Sequence, residues 1–227
     1  MVREAFDQEL QRLQGEVLVL GSMVENAITE SVESLKNQDG EAARRIIAQD
    51  QLINRRRFEI EADALTLIAT QQPMARDLRT IAAVLDLTSE LERIGDYAKG
   101  IGRITLMIGE EPLIKPLLDL PLMAGKARDM LHDALEAFVG ADTDLAQAIP
   151  QRDDEVDALY NQINRELITL MLADPSRIGQ ANYLLWAAHN LERAADRVTN
   201  ICERVVFTVS GEIVEMDVET RGIESLT

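Results

Sequence analysis

The sequence predicts an all-α protein built as two tandem, pseudo-symmetric three-helix bundles with six long helices. Three observations carry this expectation. Apolar residues recur at steps of three and four over long stretches, and no segment alternates long enough to build a sheet. Gly- and Pro-bearing breaks divide the chain at regular intervals. The two halves also resemble each other when one is laid over the other.

The first helix is written by Phe6, Leu10, Leu13, Val17, Leu20, Val24, Ile28, Val32 and Leu35, one apolar stripe sustained for about nine turns. Asn37-Gln38-Asp39-Gly40 supplies turn chemistry and ends it. A second helix is expected from Glu41 to Thr70, where Gln71-Gln72-Pro73 interrupts, because Pro biases its predecessor away from helix. The third runs from Met74 to Ile108. Residues 109–121 hold three of the six prolines and read as a connection. Three further helices are expected over Leu122–Gly140, Asp144–Ala173 and Arg177–Val209, with Asp174-Pro175-Ser176 between the last two. Pro150 falls inside the fifth, where it either kinks the helix or marks its true start. The resulting division is a repeat over 1–110, a linker over 111–121, a second repeat over 122–209 and an irregular acidic tail over 210–227.

Internal similarity supports that division. Shifted by 103 positions, residues 34–69 overlay 137–172 without a gap, matching Asp39 with Asp142, Ala43 with Ala146, Asp50 with Asp153 and Ile60 with Ile163. Beyond the Pro break the shift is 100, and Leu91-Glu92-Arg93 matches Leu191-Glu192-Arg193 while Asp96 matches Asp196. Apolar matches are common between any two helices. The polar ones at Asp50/Asp153, Glu92/Glu192 and Asp96/Asp196 are more telling, because core packing does not require them.

Composition narrows the partners. A chain of 227 residues, 46% of them hydrophobic, can bury a core without disulfides or structural zinc. Cys202 stands alone, which excludes a disulfide framework and a thiolate cluster and fits a reducing compartment. Forty acids against 23 bases, a net charge of −17, argue against nucleic acid or an anionic membrane as a primary partner. Cations and basic or apolar protein surfaces suit it better. No secretory leader is recognisable, so the mature chain is expected to start near Met1, and no apolar run approaches the roughly 20 residues of a membrane span. A cytoplasmic location is expected.

The acidic residues form a pattern. Glu92 and Asp96 are four apart, as are Glu192 and Asp196, which stacks each pair on one helix face about 6 Å apart. The preceding helices carry Asp50 with Asn54, and Asp153 with Asp157, at the same spacing. With the turn centred near residue 175, Asp157 and Glu192 fall at nearly equal heights on antiparallel neighbours, and so do Asp153 and Asp196. Around residues 72–73 the same holds for Asn54 with Glu92 and Asp50 with Asp96. Each repeat therefore sets four oxygen-bearing side chains at one level. Two carboxylates about 5 Å apart repel by roughly 3 kcal/mol at an effective dielectric near 20. A divalent or trivalent ion reverses that sign, and all-oxygen ligation suits Mg, Ca, Mn or ferric iron. The bland alternative is that the acids are solvated or paired with Arg44, Arg45, Arg55, Arg56 and Arg57.

Other candidates are weaker. His189 shares a face with Glu192, but its repeat partner is Ser89, which favours a lone structural histidine over a ligand. His132 has no matching acid and reads as surface. The Arg55-Arg56-Arg57 run reads as a solvated face, with docking to an acidic partner as the alternative. Met107, Met123, Met130 and Met171 read as core filler. Neither histidine provides the Glu-x-x-His of a di-iron oxidase. No phosphate-binding glycine loop and no Ser/His/Asp or Cys/His arrangement is present, so the chain is not read as an enzyme.

Gln-Gln-Pro at 71–73, Asp-Leu-Arg at 77–79, Leu-Glu-Arg-Ile-Gly-Asp at 91–96 and Leu-Glu-Arg-Ala-Ala-Asp at 191–196 resemble the PhoU family over residues 5–210. The resemblance implies a cytoplasmic negative regulator of phosphate uptake and of the phosphate-starvation response. It implies two partners, the ATPase of the phosphate ABC transporter and a phosphate-sensing histidine kinase, and contact with the membrane only through them. It also implies metal, iron foremost, on one acidic site per repeat. Carried over by motif, the ligands are Glu92, Asp96, Glu192, Asp196, Asp153 and Asp157, with Asp50 and Asn54 as a departure that lowers the charge of the first site. A homodimer is one assembly found in the family. Set against this reading are a carboxylate-bridged metalloenzyme or metal-storage bundle, and a helical scaffold that holds no metal.

Overall fold

A computed structural model describes residues 2–216, with side chains from residue 4. Its α-helices are α1 (Val2–Lys36), α2 (Gly40–Gln71), α3 (Arg76–Ile108), α4 (Asp119–Gly140), α5 (Thr143–Ala148), α6 (Asp153–Ala173) and α7 (Ile178–Ser210). Short 3-10 turns at Ile149–Arg152 and Pro175–Arg177 join α5 to α6 and α6 to α7. Among the described residues there is no strand, so the all-α expectation holds.

The apolar stripe of α1 is the first core element. Every member is buried except Leu10, which is half-buried. The matched aspartates of the two turns explain themselves as helix caps. Asp39 accepts the backbone N–H groups of Glu41 and Ala42 at 3.0 and 2.9 Å, and Asp142 accepts that of Leu145 at 3.0 Å. Each satisfies amides that the helix start leaves without partners.

Most boundaries lie within two residues of the sequence reading, and two differ by more. α4 begins at Asp119, three residues earlier than expected, because Pro121 falls in its first turn, where no amide is needed. Residues 119–121 of the expected linker therefore belong to α4. The fifth helix is divided: Pro150 has no N–H for the carbonyl four residues back, and the chain takes a 3-10 turn there before restarting at Asp153. Asp153 thus sits in a first helical turn, not mid-helix.

α1, α2 and α3 pack as one bundle, and α4, α5–α6 and α7 as the other, with α3 against α7 as the main seam and α1 against α4 beside it. Ile81, Leu87, Leu91, Ile94 and Ile101 of α3 and Leu191, Val198, Ile201 and Val205 of α7 are buried. Polar contacts cross the seam with the same pseudo-symmetry as the sequence. Asn200 donates to Oε2 of Glu90 at 3.2 Å, and its counterparts 100 residues away, Gly100 and Asn190, also meet, an added Cβ on Gly100 lying 2.8 Å from Nδ2 of Asn190. Where one pair is joined by a hydrogen bond, the other is a close approach in which a side chain at position 100 would require the Asn190 amide to move aside. After α7 the chain turns at Gly211 (φ 79°) and runs back along the helix, burying Met216, whose N–H donates to Oε1 of Glu203 at 2.8 Å. Of the acidic tail expected over 210–227, Ser210 is the last residue of α7, residues 211–216 form this returning segment, and the rest lies outside the described residues.

Candidate metal centre

Both acidic sites lie where the second and third helices of a repeat run side by side. In the second repeat the 3-10 turn at Pro150 delivers Asp153 to the head of α6, with Asp157 one turn on. Glu192 and Asp196 stand opposite on α7. All four line one cavity of about 540 Å³, together with Asp154, Glu203, Glu215, Arg193 and Arg197. The helix rotations that the sequence left open thus turn α6 and α7 toward each other.

The electrostatics of this cavity are those of an acid cluster short of positive charge. Burial pushes the Asp153 carboxyl up to about 7, and the charges of Asp157, Asp196, Glu192 and Asp154 add to the shift. Glu192 is raised too, by burial first and then by Asp196, against the pull of His189. Oδ1 of Asp153 is buried without a hydrogen-bond partner. Nδ1 of His189 lies 3.1 Å from Oε2 of Glu192, an attraction that exists only when the imidazole is protonated. The Tyr160 ring stands 6.2 Å from that of His189. Arg193 reaches Oδ2 of Asp196 at 3.7 Å, while Arg197 turns across the seam to Glu90 at 3.4 Å.

The first repeat places its four residues at the same level but joins them differently. Asp50 is buried, 4% exposed, and its Oδ2 accepts from Nζ of Lys99 at 2.7 Å and from Nδ2 of Asn54 at 3.1 Å. Lys99 also donates to Oδ1 of Asp96 at 2.9 Å. Arg57 lies 3.6 Å from Oε2 of Glu92 and donates to Glu61 at 2.7 Å. Glu92 is raised by burial and by the charges of Asp96 and Asp50, with Arg57 opposing. Lys99 is raised, chiefly by its hydrogen bond to Asp50.

Among the described residues, no three Asp, Glu, His or Cys side chains converge into a ready-made ligand set, so an ion would have to draw rotamers inward. The chemistry of the donors differs between the sites. The second offers four carboxylates, two of them with a buried oxygen that has no hydrogen-bond partner (Oδ1 of Asp153 and Oε2 of Glu192), and suits a hard cation. In the first, an ammonium already bridges Asp50 and Asp96.

Several side chains at these sites escaped the sequence reading. Glu203 is seven residues after Asp196, two turns along the same face, and helical spacing alone would have found it. Lys99, three after Asp96, was legible in the same way. Glu215 reaches the cavity only because the chain folds back after Gly211, and no periodicity signals that. The arginine run divides. Arg56 pairs with Glu16 and with Glu59, Arg57 serves Glu92 and Glu61, and Arg55 lies on a shallow surface beside Phe58. Two of the three are committed to ion pairs, so the run is not the uniformly solvated face its composition suggests.

The fold and its duplicated site define a class: tandem-repeat helical proteins with an acidic cluster between the second and third helices of each repeat. The sequence profile described as the PhoU domain matches residues 17–105 and again 120–205. The chain belongs to the PhoU family. It is 36% identical over 218 residues to the phosphate-specific transport system accessory protein PhoU homolog of Clostridium acetobutylicum, covering 96% of this chain and 100% of that one. It is 37% identical to the phosphate-specific transport system accessory protein PhoU of Serratia marcescens, over 92% of this chain and 86% of the relative. The crystal structure of PhoU from Pseudomonas aeruginosa superposes with a TM-score of 0.86 at 32% identity, covering 91% of this chain and 100% of that one. That of the phosphate transport system regulatory protein PhoU from Streptococcus pneumoniae gives 0.86 at 34% identity, over 92% and 99%.

Proposed function

We propose that this chain is a regulatory accessory protein of a phosphate-specific transport system and not an enzyme. It acts in the cytoplasm as a negative regulator of phosphate uptake and of phosphate-starvation signalling, between the ATPase of the transporter and a sensor histidine kinase. The observation that carries this reading is the match of both repeats to the PhoU domain, with relatives named for that system aligned over nearly the whole chain. The absence, among the described residues, of any helix long and apolar enough to cross a membrane agrees with an adaptor that meets the membrane through partners.

Metal belongs to this proposal as a structural element. Asp153, Asp157, Glu192 and Asp196 would hold it, with Glu203 and Glu215 within the same cavity. An ion bound there would supply the positive charge that the four carboxylates lack. The chain's own residues do the rest: Asp153 and Asp157 present oxygens from one helix, Glu192 and Asp196 from the other, and a protonated His189, with Nδ1 3.1 Å from Oε2, would pair with Glu192 from its own helix. Held together by an ion, these oxygens would fix the register of α6 on α7, and so the surface that this bundle offers to a partner.

The test is complementation in a strain that has lost its own accessory protein and carries a reporter of the phosphate-starvation response. Expression of this chain should silence the reporter in high phosphate, and the chain should co-purify with the transporter ATPase or the kinase. A reporter that stays on at normal protein levels would overturn the regulatory reading.

A further inference from the structure

We infer that Lys99 is the resident cation of the first acidic site, so that an ammonium already holds the place of an ion there, on Oδ2 of Asp50 and Oδ1 of Asp96 and with Oδ1 of Asp50 left buried without a partner, and only the second site takes an ion. The inference rests on the reading of the acidic clusters as cation sites and says which of the two is open.

Several positions distinguish the sites: Arg197 of the second aligns with Tyr97, which gives the second site a cation the first lacks, and three further exchanges bear on the charge of the first. In repeat alignment Lys99 corresponds to Thr199, Asn54 to Asp157 and Arg57 to Tyr160. Each exchange moves the first site toward neutrality. Asn54 removes a negative charge and its amide donates to Asp50. Arg57 lies against Glu92. Lys99 does more, because its ammonium joins one carboxylate from α2 to another from α3, at 2.7 and 2.9 Å, linking the two helices as a bridging ion would.

Burial decides how firmly the amine is held. The Asp50 side chain is only 5% exposed and that of Lys99 20%. Removing the ammonium would leave a buried carboxylate without its partner, which is costly, whereas an incoming divalent ion would have to displace a covalently tethered cation whose local concentration never falls. At the second site, Thr199 presents no charge, and Asp153 is pressed by four other carboxylates. Arg197 there turns across the seam to Glu90, while Arg193 stays within the site, 3.7 Å from Asp196 of its own helix.

The test uses chelator-treated full-length protein and Mn(II) alone, with bound metal counted after equilibrium dialysis and melting followed in parallel. Asp153→Asn with Glu192→Gln should lower bound manganese at least tenfold, while Asp50→Asn with Glu92→Gln should leave it unchanged. Lys99→Thr with Asn54→Asp should open a second site that adds manganese to the wild-type content and is lost again with Asp50→Asn. Manganese retained on the first site while Lys99 is present would overturn the inference, as would a Lys99→Thr/Asn54→Asp variant that binds no more than wild type. Melting separates the two levels of the proposal. Lys99→Thr alone should lower the Tm of the metal-free chain by about 5 °C, and an unchanged Tm would remove Lys99 from its role whatever the manganese result. Wild type that takes no manganese at all, with the Tm loss intact, would defeat the cation reading of the second site and leave the resident amine standing.

Discussion

Asn200 on α7 donates to Oε2 of Glu90 on α3 at 3.2 Å, and the same oxygen lies 3.4 Å from Arg197. Glu90 is 9% exposed, so this carboxylate is a buried anion that joins the two repeats. Its other oxygen accepts from Arg93 at 2.6 Å. Replacing Glu90 with Ala would leave Asn200 without its acceptor inside the seam and Arg197 with Tyr97 but no carboxylate. Unfolding free energy in urea should fall by about 3 kcal/mol, in the range for breaking a buried pair by removing one partner. A loss below half of that would mean that water reaches the seam and satisfies Arg197.

Gly21 marks a second close approach. A Cβ built on it would lie 2.2 Å from Cδ1 of Leu135 on α4. Gly21→Ala therefore sets two effects against each other, better helix propensity and overpacking against a fully enclosed leucine. Overpacking should win, with a net destabilisation of about 1–2 kcal/mol. Adding Leu135→Ala should cost less in the Gly21→Ala background than in wild type, a coupling that a double-mutant cycle reads directly.

Stability should decline with pH in metal-free protein. The Asp153 carboxyl titrates at about 7 in the folded chain and near 3.8 when unfolded. Below about pH 4 both states hold the proton and no penalty exists. Between about 4 and 7 the unfolded state releases it while the folded state retains it, so stability falls as pH rises, and above 7 the loss is complete. Glu192 and Glu92, also raised, act in the same direction. Asp153→Asn should therefore raise the Tm at pH 8 and leave it nearly unchanged at pH 4. Thermal melts across that range check the sign.

The two capping aspartates make a matched pair of predictions. Asp39→Ala and Asp142→Ala each remove the acceptor of a helix start and should each cost about 1 kcal/mol. Substitution by Asn should recover most of that, since its side-chain oxygen accepts the same amides. Equilibrium unfolding of the four variants distinguishes a cap from a general charge effect, which Asn would not restore.

Much of this architecture was legible before any coordinates. The α1 stripe from Phe6 to Leu35 is a pure periodicity signal, and burial follows it almost residue for residue. The breaks at Pro73 and Pro175 work through local backbone rules that neighbours cannot override. Pro150 and Pro121 were harder, because a proline stops a helix or starts one depending on which turn it occupies. In α4 it was tolerated in the first turn, and before α6 it forced a 3-10 connection.

The candidate sites divide in the same way. Heights along antiparallel helices follow from rise per residue, so the level shared by Asp153, Asp157, Glu192 and Asp196 was calculable. The family membership follows from the match of the PhoU domain to both repeats, which sequence alone carries. What the tertiary structure decided is which charge meets which. Lys99 has a long flexible side chain that helical spacing allows to reach several acids, and only the packing of α3 on α2 selects Asp50 and Asp96 together. Likewise, the reversal after Gly211 brings Glu215 and Met216 onto α7. Periodicity records how each helix faces its core, because that pattern is local. The pairing of long charged side chains and the path of a returning segment depend on distances across the fold, which no local pattern contains.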